Sequence, residues 1–153
     1  MPHMVNHVED PSDAIATALA EALTRAPVAI VSAYLFGSQA EDRAHRQSDV
    51  DVGVLLPHGT FGARGRFDAR VQLASFLIGE LNRNDVDVVV LNDAPPLLAR
   101  RIVTRGRRIL RNDDAADHAF VRDIQLRAAD LEPILRLSPS EADGNKAMTS
   151  VAR

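Results

Sequence analysis

Three aspartates and a glycine–serine pair are the residues of this chain best suited to chemistry. Gly37-Ser38 is followed, after a ten-residue stretch, by Asp49-Val50-Asp51, and Asp87 lies inside a second apolar run. In an extended strand side chains repeat every two residues, so Asp49 and Asp51 share one face and Val50, Val52 and Val54 the other. Asp85 and Asp87 repeat the arrangement against Val86, Val88 and Val90. Two such strands side by side bring Asp49, Asp51 and Asp87 together. Three carboxylates at close range repel, and burial raises the cost of each charge. A divalent cation removes that conflict: Mg²⁺ takes hard oxygen ligands, keeps several waters and commonly bridges one or two carboxylates to substrate phosphates. Two ions about 3.5–4 Å apart stabilise both the attacking and the leaving oxygens of an in-line displacement. Gly37 lets the backbone approach a phosphate closely. A helix beginning near Ser38 would present free N–H groups to an anion, and the Ser38 hydroxyl would donate to a β- or γ-phosphate oxygen. The set suits metal-assisted transfer of a nucleotide from a nucleoside triphosphate. Each piece alone is weak, because Asp-x-Asp is common at solvated strand edges and a Gly-Ser pair is usually only a turn. Their order, on strand-like runs, is what makes them specific.

The surrounding elements can be read from periodicity. Residues 28–36 form an apolar run rich in β-branched and aromatic residues that stops at Gly37, which predicts a buried strand ending in a turn. Residues 48–56 and 85–91 are the strands that carry the carboxylates. Before them, Asp10-Pro11-Ser12-Asp13 is a helix start, and Ile15, Leu19 and Leu23 form the apolar stripe of a helix ending near Thr24. A second helix is expected from Arg66 to Leu81, with Val71, Leu73, Ala74, Leu77, Ile78 and Leu81 inward. Pro95 and Pro96 open a third, through about Thr104, closed by Gly106. A short strand is expected over Arg107–Arg111. A last helix, capped by Asp113 or Asp114, should run to about Leu137 and be kinked or stopped by Pro133. The segment Gly62-Ala-Arg-Gly65 lacks both the P-loop and the dinucleotide spacings and is read as a turn.

Length and composition limit the classes. At 153 residues the chain is one domain; residues 1–137 are assigned to it. Residues from Ser138 on are polar, small and expected to be disordered. A hydrophobic content of 46% allows a real core, and with only 4% aromatics that core must be aliphatic. There is no cysteine, hence no disulfide, thiol nucleophile or cysteine-bound metal. A net charge of −3 gives no general attraction to nucleic acid or anionic membrane. No apolar run nears the roughly 20 residues of a membrane span, and the N-terminus lacks the form of a signal peptide, so a cytoplasmic protein is expected. Six arginines lie at 100, 101, 105, 107, 108 and 111. Such a cluster can bind phosphate or an acidic partner, or be a solvated helix end favoured by the helix dipole. No aromatics interleave it, which argues against RNA.

The residues Leu35-Phe-Gly-Ser38, Ser48-Asp-Val-Asp51 and Val86-Asp-Val-Val-Val-Leu-Asn92 resemble the minimal nucleotidyltransferase (MNT) family of the polymerase-β-like superfamily. Ala94-Pro-Pro-Leu-Leu98, Arg101-Ile102, Gly106 and Ile109-Leu110 extend the resemblance to roughly residues 28–111. It implies an α/β (α+β) nucleotidyltransferase fold, a mixed β-sheet flanked by helices, with ATP as substrate and Mg²⁺, two ions, at the carboxylates. By position, Gly37 and Ser38 would hold the triphosphate, Asp49 and Asp51 would bind metal, and Asp87 would complete the metal site and help deprotonate the attacking hydroxyl. Small members of the family are typically antitoxins paired with a HEPN-domain RNase toxin, and some transfer AMP to a tyrosine of that toxin. The resemblance therefore implies a toxin–antitoxin hetero-oligomer and protein AMPylation. The chain departs from the family at Gly37-Ser-Gln-Ala-Glu-Asp42, where members often read Gly-Ser-x-Ala-Arg-Gly. Glu41 replaces a cation there, and Arg43, His45 or Arg46 are candidates to supply the charge.

Other readings stay open. A non-catalytic antitoxin would neutralise its toxin by binding alone, which the altered loop favours. An antibiotic nucleotidyltransferase usually adds a second domain, and only about 40 residues follow Arg111. A subunit of a larger transferase is the remaining alternative.

Overall fold

The computed structural model describes residues 11–37, 49–59 and 62–136. The elements run in the order α1 (Pro11–Thr24), β1 (Ser32–Phe36), β2 (Val50–Leu55), α2 (Ala63–Leu81), β3 (Val86–Val90), α3 (Pro96–Arg105), β4 (Arg107–Arg111) and α4 (Asp114–Arg136). The four strands form one mixed sheet in the order β3-β2-β1-β4. β1 is antiparallel to both β2 and β4, whereas β2 and β3 are parallel. Parallel neighbours need a crossover connection, and α2 supplies it.

The alternation seen in the sequence decides which helix covers which face. Val50, Val52 and Val54 of β2, Val86, Val88 and Val90 of β3, and Ala33 and Leu35 of β1 pack with Leu19 and Leu23 of α1 and Ala69, Leu73 and Leu77 of α2. On the other face Tyr34, Phe36, Leu55 and Val89 pack with Ile102 and Val103 of α3 and Ala116 and Phe120 of α4. Gly53 lets α3 sit close on this second face, since a Cβ there would lie 3.0 Å from Ile102 Cγ2. The core is aliphatic as expected, and each fully buried leucine or valine contributes about 1.5–3 kcal/mol. This layering of helices on both faces of a mixed sheet is the α/β architecture expected.

Three expectations change in detail. The first strand begins at Ser32, not Val28. The carbonyls of Ile30 and Val31 are taken by Asn112, through its side chain and its backbone N–H respectively, and the Val31 N–H donates to the Leu55 carbonyl, so this stretch is held by the loop after β4 and by the end of β2. Helix α2 starts three residues early, at Ala63, so Arg64 and Gly65 lie in its first turn, and Val71 faces outward, 50% exposed. Pro133 does not stop α4, which continues to Arg136. A proline there removes only the bond to Ala129, whose exposed position leaves its carbonyl to water. The polar segment from Ser138 lies outside the described residues. Among the described residues no helix is long and apolar enough to cross a membrane.

Candidate active site

β1 ends, and β2, β3 and β4 begin, at the same end of the sheet. There the register sets Phe36 opposite Asp51 and Asp51 opposite Asp87. Paired residues on adjacent strands share a face, so Phe36, Asp51 and Asp87 form a row across three strands on the α3 side. The row exists because a hydrophobic alternation fixes the register: a one-residue slip would turn Val50 and Val52 outward. Asp49 lies just before β2 and is exposed.

The three carboxylates differ in surroundings. Asp51 is half-buried, and burial, then the charges of Asp87 and Asp49, hold its carboxyl above the usual aspartate range. Asp87 sits on the edge strand with its side chain 61% exposed, and among the described residues the Arg70 guanidinium pairs with it, at 3.7 Å. Arg70 is anchored by donating from Nε to the Val88 carbonyl at 2.8 Å. Asp85 stands apart: Arg83 donates to both of its oxygens at 2.6 Å, and these hydrogen bonds hold its carboxyl below the usual range. Of the two aspartates of the second run, Asp87 is the one left for a ligand. The sequence placed them on one face and gave no sign of this division.

Gly37 adopts φ +74°, in the left-handed region, and a Cβ built on it would collide with Asp51 Oδ2. Glycine is therefore required twice over, for the turn and for the approach of the chain to the carboxylate. Ser38 lies outside the described residues, as do Glu41, Asp42, Arg43, His45 and Arg46. Beside Gly37 is a cavity of about 210 Å³ lined by Phe36, Leu98, Arg101, Ile102, Arg105 and Gly106.

Among the described residues no three carboxylate or imidazole groups form a ready-made metal cage. The donor set that is present, Asp51 and Asp87 with Asp49 nearby, suits a hard cation that completes its shell with water and phosphate oxygens. Burial and the neighbouring aspartates disfavour the charged form of Asp51, an opposition that a cation would relieve.

Two supporting clusters were not foreseen. Tyr34 donates from its hydroxyl to Asp117 Oδ1 at 2.6 Å, and Arg108 donates to Oδ2 at 2.9 Å. Asp117 has no exposed side-chain area. Burial pushes its carboxyl up, but hydrogen bonding by Tyr34 and the charge of Arg108 bring it below the usual range. Burial and the Asp117 carboxylate push Tyr34 up to about 12. This network ties α4 and β4 to β1, two residues behind Phe36. Asn92 binds both the N–H and the carbonyl of Leu56 at 2.9 Å, joining the ends of β3 and β2.

A mixed sheet that presents facing aspartates beside a left-handed glycine defines the nucleotidyltransferase class. The polymerase β nucleotidyltransferase family model matches residues 18–115, and the chain belongs to that family. It is 37% identical over 76 residues to the protein adenylyltransferase MntA of Shewanella oneidensis, a match that spans 50% of each chain, so it covers about half the length of this curated relative. Its structure is similar to a chain in the crystal structure of a toxin–antitoxin with AMP-PNP, with a TM-score of 0.60, 27% identity, and coverage of 79% of this chain and 95% of that one. It is also similar to a chain in the structure of a tri-AMPylated Shewanella oneidensis HEPN toxin in complex with MNT antitoxin, with a TM-score of 0.57, 25% identity, and coverage of 82% and 96%.

Proposed function

We propose that this protein is an antitoxin acting as a protein adenylyltransferase, which transfers AMP from ATP to a tyrosine hydroxyl of a HEPN-domain RNase toxin and forms a complex with it. The observation that carries the reading is the Phe36–Asp51–Asp87 row with Gly37 against Asp51. The likeness to MntA and to structures of toxin–antitoxin complexes supports the acceptor class. ATP use and the lack of cysteine fit a cytoplasmic protein.

In this reading Asp49, Asp51 and Asp87 hold Mg²⁺. When bound, Mg²⁺ neutralises the charge of the triphosphate and of the developing transition state. Gly37 and Ser38 hold the phosphates that leave as pyrophosphate. Asp87, exposed on the edge strand, faces solvent where an acceptor from another protein can arrive, and takes the proton of its hydroxyl. The acceptor oxygen bonds to the α-phosphorus as the bond from that phosphorus to the bridging oxygen breaks. The protein contributes mostly positioning and preset charge.

Toxin neutralisation in cells tests this reading against a binding-only antitoxin. Asp49→Ala/Asp51→Ala should abolish neutralisation while leaving the complex with the toxin intact. Full neutralisation by that variant would establish the binding-only mode.

A further inference from the structure

The geometry points to Arg101 and Arg105 as a clamp for the β- and γ-phosphates of the nucleotide, the group that departs as pyrophosphate. The inference rests on the nucleotidyl-transfer reading and deepens it.

The six-arginine cluster divides cleanly in three dimensions. Arg100 pairs with Glu132, Arg107 with Asp13, Arg108 with Asp117 and Arg111 with Asp114. Arg101 and Arg105 make no ion pair among the described residues. These two, four residues apart on α3 and so on one face of the helix, line the cavity beside Gly37. Leu98 and Ile102 belong to the same stripe, and Ile102 is fully buried over Gly53, which fixes the helix against the sheet. The two guanidiniums are thus carried on a rigid element at the rim of a cavity that touches the residue in contact with Asp51.

Position along the row selects the part of the substrate. The transferred phosphorus belongs at Asp51 and Asp87. Asp87 is on the open edge, where the acceptor enters. In-line displacement puts the leaving group on the opposite side, toward Gly37 and the cavity. A triphosphate brought to three carboxylates carries excess negative charge even beside divalent cations. The sequence after Gly37 has Glu41-Asp42, two acids, where it could have supplied a cation. Arginine binds phosphate in bidentate fashion and stays charged. The α3 C-terminus offers carbonyls, not N–H groups, to the cavity, so side-chain cations are what makes it fit for an anion.

Isothermal titration with inorganic pyrophosphate and Mg²⁺ tests the clamp without reference to any acceptor. Arg101→Ala and Arg105→Ala should each weaken pyrophosphate binding about ten- to a hundredfold, the range for loss of a charged hydrogen bond, and weaken ATP in parallel. Arg111→Ala, from the same cluster but paired with Asp114, should leave both affinities unchanged. Both clamp positions are exposed, and thermal unfolding will verify that the variants fold. Undiminished pyrophosphate binding in both variants would overturn the inference, as would a loss confined to ATP, which would move the arginines to the base or sugar. Wild-type protein that binds pyrophosphate through these arginines yet labels no protein would leave the clamp standing and remove only the protein-acceptor reading.

Discussion

Replacing Gly37 by alanine separates backbone strain from damage to the site, because the fold contains its own control. Gly37 and Gly59 have nearly equal φ, +74° and +76°. A Cβ at Gly59 meets nothing within 4 Å, whereas one at Gly37 collides with Asp51 Oδ2. An L-residue in the left-handed region costs about 1–2 kcal/mol, and at about 2–4 °C per kcal/mol for a chain of this size both alanine variants should unfold a few degrees early. Only Gly37→Ala must also move the Asp51 carboxylate or the turn, and a displacement of about 1 Å in such a site costs about a hundredfold in rate. Thermal unfolding with and without Mg²⁺ and a non-hydrolysable ATP analogue reads both effects. Gly59→Ala should keep the full ligand-induced stabilisation, and Gly37→Ala should lose it. Equal ligand responses in the two variants would refute the claim that Gly37 is there to let the chain pass the carboxylate.

Asp51→Asn should raise the unfolding temperature of the ligand-free protein, because it removes a charge that burial and two neighbouring aspartates disfavour, and should lower transfer about a hundred- to a thousandfold; differential scanning calorimetry and a turnover assay check the two signs. Because the Asp51 carboxyl is held above its ordinary range, protons compete for it sooner, so Mg²⁺ affinity should fall on acidification at a higher pH than for an ordinary aspartate, as titration across the acidic range will read. Asp117→Ala should cost about 1–3 kcal/mol, the loss expected when the buried Tyr34 hydroxyl is left without its acceptor, measured by denaturant unfolding. Asp117 has its carboxyl lowered by folding, so its contribution is present above the unfolded value and lost as pH falls through the folded one. Wild type should therefore lose more stability than Asp117→Asn on going to acid.

The carboxylate row was legible because strands with one buried face announce themselves: alternating valines fix Asp49, Asp51 and Asp87 on the other face without knowledge of the partner strand. The register that sets Asp51 opposite Asp87 needed only that both runs start at the same end of a parallel pair. What was hidden depends on distance in sequence. Tyr34 and Asp117 meet across 83 residues, and neither residue type in its local run signals a buried acid. The separation of Asp85 from Asp87 turns on the reach of Arg83, and the division of the arginine cluster turns on acids contributed by α1 and α4. β1 starts later than its apolar run because Asn112, a distant partner that local pattern does not show, takes the carbonyls of Ile30 and Val31.

The most direct test of the central claim is intact mass spectrometry of a cognate HEPN toxin incubated with this protein, ATP and Mg²⁺, beside an Asp51→Asn/Asp87→Asn control. An AMP-sized adduct on a toxin tyrosine, absent in the control, is the predicted result. A toxin of unchanged mass that is nevertheless held in a stable, inactive complex would contradict the account.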